Sequence, residues 1–309
     1  MSKIVIIGAG FVGSTIAYAL MLGGTAEEIV LIDKLKEKAR GESMDLNHGA
    51  SFVKPVNVYA GDYEDCSKAD IVVITAGAPQ SPGQSRIDLL QTNTAVMKQV
   101  VTSVMEYNRE AILLVVTNPV DIMSYVSWKV SGLPHRRVIG SGTVLDTSRF
   151  RHLLSTRCRV DPRNIHAYVV GEHGDSEVLL WSSASIAGVS MNKFCQRCEH
   201  PCSEDNRNEI SAKVRRAAYQ IIDDKGGTYY AIALAVKRII ESILRDERSL
   251  LTVSALAELI PGAEDLYLSI PCILGRNGIE QVVLFQMNAA EEREFDSSIE
   301  VIKSALLQV

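Results

Sequence analysis

No apolar stretch in this 309-residue chain approaches the ~18 residues a membrane span requires, which argues against an integral membrane protein. Charge of one sign does not accumulate either. The net charge is −5 with acids and bases interspersed, so no basic face invites nucleic acid or an anionic bilayer. Internal repeats, low-complexity tracts and a flexible linker are all missing. Only Met1-Ser2-Lys3 precede the first apolar run at residues 4–7. That leaves no room for a secretory leader or an extended N-terminal arm, and predicts a cytoplasmic protein. Six cysteines are unevenly placed in a chain too long to need disulfide staples, so free thiols are expected.

What is present is an ordinary globular balance, 47% hydrophobic and 22% charged, in a length that suggests two domains. Residues 4–7, 29–32, 56–59, 71–75, 112–116 and 138–139 are short β-branched runs. They alternate with helical patterns such as 12–22 and 36–47. Near-continuous apolar strands alternating with helices predict a parallel sheet covered on both faces. After about Gly140 the texture changes. Residues 165–170 and 177–181 read as strands. Residues 266–270, then Ile273, the tight turn at Asn277-Gly278 and 281–285 read as an antiparallel meander. Helical patterns at 228–245 and 296–307 frame it. The predicted fold is α/β: a Rossmann-type doubly wound sheet over residues 1–141, followed by an α+β substrate domain over residues 142–309.

Gly8-Ala9-Gly10-Phe11-Val12-Gly13 follows the first strand and opens a helix, the context that gives a G-x-G-x-x-G pattern its meaning. Gly8 permits the tight turn, Gly10 lets a pyrophosphate approach the backbone, and Gly13 lets helix pack on strand. The helix N-terminus offers free N–H groups to the phosphates. Asp33 ends the second strand, 20 residues after Gly13, where an acid binds the adenosine ribose hydroxyls. A 2′-phosphate there would face this carboxylate; at ~4 Å and an effective dielectric of ~20, each pair of charges repels by roughly 4 kcal/mol. NAD is predicted over NADP. Downstream, Leu145-Asp146-Thr147-Ser148-Arg149-Phe150-Arg151 and Gly171-Glu172-His173-Gly174-Asp175-Ser176 bring a proton carrier, carboxylates and a guanidinium. Those groups suit movement of a hydride and a proton at one carbon of a small acid.

Taken with Thr75-Ala76-Gly77-Ala78 through Arg86, Thr117-Asn118-Pro119 and Gly227-Thr228, these ordered motifs make essentially the whole chain resemble the L-lactate/L-malate dehydrogenase family, and most of all its bacterial lactate-specific members. The resemblance implies that His173 donates the proton to pyruvate and takes it back from L-lactate. It implies that Asp146 holds the other ring nitrogen and that Arg149 binds the substrate carboxylate through two parallel hydrogen bonds. It places residues 79–86 in a loop that closes over the substrate, with Arg86 arriving to polarise the carbonyl oxygen. Phe11, Val12, Thr75, Ala76 and Gly77 fall to the cofactor, Asn118 to substrate and nicotinamide, and Thr228 to the small methyl pocket.

Gln80 decides the substrate in this reading. The malate branch carries an arginine at the matching place. Closing an uncharged glutamine over oxaloacetate would bury an unpaired anion, at a cost on the order of 3–5 kcal/mol. The resemblance further implies a homotetramer working in glycolysis and pyruvate fermentation. Arg151 and His166 match positions where allosteric members bind fructose 1,6-bisphosphate across a two-fold axis, though the same residue types occur in unregulated relatives. Cys195, Cys198, His200 and Cys202 are crowded into one short polar stretch. Structural zinc sites draw ligands from two segments, so an oxidation-sensitive surface loop is expected there and no metal. Competing readings are a malate dehydrogenase, against which Gln80 argues, an NAD-dependent glycosidase, which the Asp146–Arg149–His173 set fits poorly, and a non-catalytic NADH sensor.

Overall fold

The computed structural model describes residues 2–78, 86–196 and 203–309, with backbone alone for Arg86 and Ile87. Among the described residues the first half runs β1 (Lys3–Ile7), α1 (Phe11–Gly23), β2 (Glu28–Ile32), α2 (Lys36–His48), β3 (Asn57–Ala60), β4 (Ile71–Ile74), α3 (Arg86–Tyr107), β5 (Ile112–Val115), α4 (Val120–Ser131) and β6 (Val138–Gly140). The second half runs α5 (Val144–Cys158), β7 (Ile165–His166), β8 (Val169–Val170), β9 (Val178–Leu179), β10 (Ser185–Ile186), β11 (Val189–Ser190), α6 (Met191–Cys195), α7 (Glu204–Lys225), α8 (Tyr230–Leu244), β12 (Ser249–Leu256), β13 (Tyr267–Gly275), β14 (Gly278–Val282) and α9 (Ala289–Leu306). No helix among them is long and apolar enough to cross a membrane.

The main sheet has the order β14-β13-β12-β6-β5-β4-β1-β2-β3. Strands β1 to β6 pair in parallel with one another, and β6 meets β12 antiparallel on its other side. Every residue of β4 and β5 is buried, as the unbroken apolar runs require of strands covered on both faces. The strand order reverses between β4 and β1. This is the crevice at the carboxyl ends of the strands where doubly wound folds bind their ligands.

The meander is found as read, with β13 and β14 antiparallel across the Gly275–Gly278 turn. It joins the parallel sheet through β12, which pairs with β13 along its whole length and touches β6 at Ser254 and Gly140. Sequence reasoning found no strand over β12. Two expectations about the second half are corrected. The stretch 165–170 is not one strand. It divides into β7, which pairs with β10, and β8, which pairs with β9, because the chain changes sheets around Ala167 and Tyr168. The last helix begins at Ala289, seven residues before the predicted start, capped by Asn288 and Glu291.

The larger hydrophobic core runs across the main sheet from β1 to β13 and into α9. A smaller one gathers Phe150 and Leu154 of α5 with Ile210 and Val214 of α7 over β7 and β8. That second core clamps α5, the helix on which Asp146 and Arg149 stand.

Candidate active site

The glycine loop closes as its spacing requires. Gly8 has φ +106°, and a Cβ there would lie 2.8 Å from the Ala76 nitrogen; one on Gly13 would lie 1.9 Å from the Gly8 carbonyl oxygen. Gly10 differs, since a Cβ would meet only the Lys38 ammonium at 3.9 Å. The space over Gly10 is open, and no side chain caps the N-terminus of α1. Its N–H groups are left for an anion. Asp33 fastens this cradle: its Oδ2 accepts from the Ala9 N–H at 2.8 Å and its Oδ1 from the Leu35 N–H at 2.9 Å. Each oxygen keeps a lone pair for a ribose hydroxyl. These features fit a dinucleotide.

Thr75, Ala76 and Gly77 follow β4 on the opposite lip. The Thr75 hydroxyl donates to the Gly8 carbonyl at 2.8 Å, and the Thr117 hydroxyl to that of Ala76 at 2.7 Å. Asn93 of α3 ties the next layer, accepting from the Ala78 N–H at 2.8 Å and donating to the Asn118 carbonyl at 2.9 Å. Asn118 itself is exposed, and its bond to Pro119 is cis. Phe11 is exposed at the mouth of the cradle, with Val12 half-buried behind it. The Tyr229 ring lies 5.4 Å from that of Phe11, which sets the Thr228 segment beside the cofactor loop.

The catalytic candidates converge although they are 27 residues apart. His173 Nδ1 lies 2.7 Å from Asp146 Oδ2, and Arg149 Nη1 lies 2.7 Å from Asp146 Oδ1. Asp146 is buried on the first turn of α5. Hydroxyls position that helix: Thr147 bonds Thr252 of β12 at 3.0 Å and accepts from the Val169 N–H at 2.9 Å. The His173 turn is held at three points. Gly171 bridges to Ser269, the Glu172 N–H donates to the Ser298 hydroxyl at 2.6 Å, and the His173 N–H donates to Asp121 Oδ2 at 2.7 Å. Gly171 sits at φ +92° with Ser298 where a Cβ would go, so that position requires glycine.

The electrostatics follow from burial and pairing. Burial disfavours the imidazolium of His173, but the Asp146 carboxylate outweighs it and holds the group up at about 9, against 6.5 ordinarily. Burial likewise disfavours the Asp146 carboxylate, and His173 and Arg149 overcome that and keep it below the usual carboxylate range. Burial raises Asp121 to about 6, against the bonds it accepts. At neutral pH the site therefore holds an imidazolium whose Nδ1–H is held by Asp146, leaving the Nε2–H directed away from that carboxylate. Arg149 pairs with an acid three residues earlier, yet it is no surface residue: its side chain is only 16% exposed. One arm of its fork is engaged, and among the described residues no bond engages the other.

Four buried acids escaped the sequence reading, Asp121, Glu177, Glu241 and Glu291, whereas an acid in a globular chain is expected at the surface. Asp121 supports the His173 turn, and Glu291 accepts from the N–H of Ser182 at 2.8 Å. Glu177, with Asp146 and His173, places ligand-capable atoms within 4.8 Å of one another. Both Asp146 oxygens are taken, one by a guanidinium that repels cations, so the trio suits a proton better than a metal ion. A first-turn acid after Asn118-Pro119 and a third acid after Glu172 and Asp175 were the available signals.

Gln80 lies outside the described residues, as do the side chain of Arg86 and Cys198, His200 and Cys202. Cys66 and Cys272 are buried, which pushes both thiols up to about 12 and leaves no nucleophile there. Arg151 donates to the Ala167 carbonyl at 3.0 Å, next to the exposed His166.

The family model described as lactate/malate dehydrogenase, NAD binding domain, matches residues 2–140, and its alpha/beta C-terminal counterpart matches residues 143–309. The L-lactate dehydrogenase of Acetivibrio thermocellus is 56% identical over 94% of this chain and 92% of its own. That of Thermoanaerobacter pseudethanolicus is 52% identical over 100% and 99%. Among solved structures, the minor L-lactate dehydrogenase of Enterococcus mundtii in a ligand-bound form superposes with a TM-score of 0.97 at 42% identity, covering 100% of this chain and 98% of that one. A lactate dehydrogenase from a Medee basin deep-sea metagenome library gives 0.96 at 43%, covering 99% and 98%.

Proposed function

The chain belongs to the lactate/malate dehydrogenase family, and we propose how its residues carry out NAD-dependent interconversion of pyruvate and L-lactate. Bound NADH supplies a hydride to the carbonyl carbon of pyruvate. His173 gives its proton to the carbonyl oxygen, and Asp146 keeps the imidazole oriented and stabilises its charge before transfer. Arg149 holds the substrate carboxylate with the part of its fork that Asp146 leaves unengaged. Arg86 polarises the carbonyl when the 79–86 loop closes, Gln80 in that loop admits a methyl group and disfavours a second carboxylate, and Thr228 bounds the methyl pocket. Asn118 orients substrate and nicotinamide. In the reverse direction neutral His173 takes the hydroxyl proton.

One observation carries this reading: a single buried carboxylate binds His173 through one oxygen and Arg149 through the other, each at 2.7 Å. The two groups the substrate must meet are thereby fixed relative to each other. The test is NADH oxidation followed with pyruvate and with oxaloacetate as separate substrates. Preference for pyruvate is expected, and preference for oxaloacetate would contradict the role given to Gln80.

Residues 1–141 and 142–309 would serve as cofactor and substrate domains of a cytoplasmic homotetramer in glycolysis and pyruvate fermentation. Arg151, held beside His166 by the Ala167 carbonyl, offers an anion site that fructose 1,6-bisphosphate would complete across a subunit axis. Activation by that bisphosphate at subsaturating pyruvate, abolished in Arg151→Gln, supports the site. Equal rates with and without it exclude regulation.

A further inference from the structure

Glu177 has no role in the reaction described so far. It begins the segment that becomes β9 and is only 2% exposed. Its Oε1 is buried without a hydrogen-bond partner among the described residues. The backbone is gripped on both sides. Its N–H donates to the Gly174 carbonyl at 3.2 Å, and its carbonyl accepts from Arg215 at 2.8 and 3.2 Å. The carboxyl is therefore held in place beside the His173–Asp146 pair, within 4.8 Å of both, by contacts that leave Oε1 unbonded.

We propose that Glu177 is a positioning residue for the proton: its ionisation, beside the His173–Asp146 pair, sets how firmly His173 holds the proton it delivers. The proposal rests on the reading of His173 as the proton carrier. Two buried carboxylates this close do not both ionise freely. Asp146 has an imidazole and a guanidinium at 2.7 Å, whereas Glu177 has an unbonded oxygen. Charge settles on Asp146 and the proton on Glu177. Burial first, and Asp146 next, push Glu177 well above the ordinary carboxylate range.

The other charges facing the site come from every element around it. Arg149 stands on α5 and Asp121 on α4. Arg215 reaches from α7 and is itself paired with Glu294 of α9 at 3.1 Å. Glu172 lies on the same turn as His173. As pH rises and Glu177 loses its proton, the new negative charge strengthens the hold on the His173 proton. By reciprocity, loss of the imidazolium charge strengthens the hold of Glu177 on its own.

The test is Glu177→Gln, which keeps the shape and cannot ionise. Profiles of kcat/KM against pH are measured for pyruvate reduction and for lactate oxidation, with NADH affinity as a control. The alkaline limb of pyruvate reduction is expected to move down by roughly one pH unit or more, as for a charge ~5 Å away at an effective dielectric of ~20. The acid limb of lactate oxidation should move down equally, and the low-pH plateau of pyruvate reduction should stay within about twofold, since residue 177 is neutral there in both proteins. Glu177→Asp should restore part of the shift. Limbs that stay in place, or a loss of rate uniform across pH, would overturn the proposal and leave Glu177 a packing residue. If Glu177→Gln folds poorly, Glu177→Ser removes the carboxyl and is judged by the same limbs. Failure of the underlying reading looks different: His173→Asn would then retain turnover.

Discussion

Replacing Asp146 by asparagine separates charge from shape at the centre of the site. In the wild type burial works against a charged His173, and Asp146 reverses that to reach about 9 from 6.5. At 1.36 kcal/mol per pH unit this is roughly 3 kcal/mol of preference for the imidazolium. Pyruvate reduction needs the protonated form. Activity should therefore persist at neutral pH and fall as pH rises through about 9. In Asp146→Asn the opposing effect of burial remains, and the limb should drop by roughly two pH units or more. At pH 8 the protonated fraction then falls from about nine-tenths to about one-tenth, roughly a tenfold loss from charge alone. Loss of the tautomer lock acts further, and removal of the equivalent carboxylate from a Ser-His-Asp triad costs ~10⁴ in kcat. The assay is kcat/KM for pyruvate across pH, beside NADH binding by fluorescence, which should be unchanged. A limb still near its wild-type position would refute the reasoning, because among the described residues Asp146 is the one acid bonded to the imidazole ring, and Asp121 and Glu177 act on it only from a distance.

Other expectations follow from the same geometry. Arg149→Lys loses the planar fork, and KM for pyruvate should rise ~10- to 100-fold, the equivalent of one charge-assisted hydrogen bond, with NADH affinity intact; an unaltered KM removes Arg149 from carboxylate binding. Gln80→Arg should shift the ratio of kcat/KM towards oxaloacetate by ~100-fold or more, following the cost of an unpaired buried anion; an unchanged ratio refutes the loop's part in selection. NADPH at low concentration should support far less turnover than NADH, and Asp33→Ser should narrow the gap; equal use by the unmodified enzyme would contradict the ribose role of Asp33.

The nucleotide-binding half was legible because its physics is local. Buried parallel strands read as unbroken β-branched runs, and the Gly8 to Gly13 spacing states its own turn. The second half depends on partners distant in sequence. β12 escaped notice because Thr252 and Ser254 break its apolar pattern, and only the fold reveals that both are buried, with Thr252 bonded to Thr147. His173, Asp146 and Arg149 were identifiable as types in context. Their sharing of one carboxylate was not, since the chain between them passes through β7 and β8 in two different sheets. Asp121, Glu177, Glu241 and Glu291 were hidden for a more general reason. A buried acid looks like a solvated one in a sequence, and only its neighbours distinguish them.

A crystal of the protein with NADH and oxamate, the unreactive analogue of pyruvate, addresses the proton-carrier assignment most directly. The oxamate carboxylate should lie on the Arg149 fork and its carbonyl oxygen within hydrogen-bond distance of His173 Nε2. Oxamate bound away from residue 173, or with its carboxylate turned to another cation, would contradict the account.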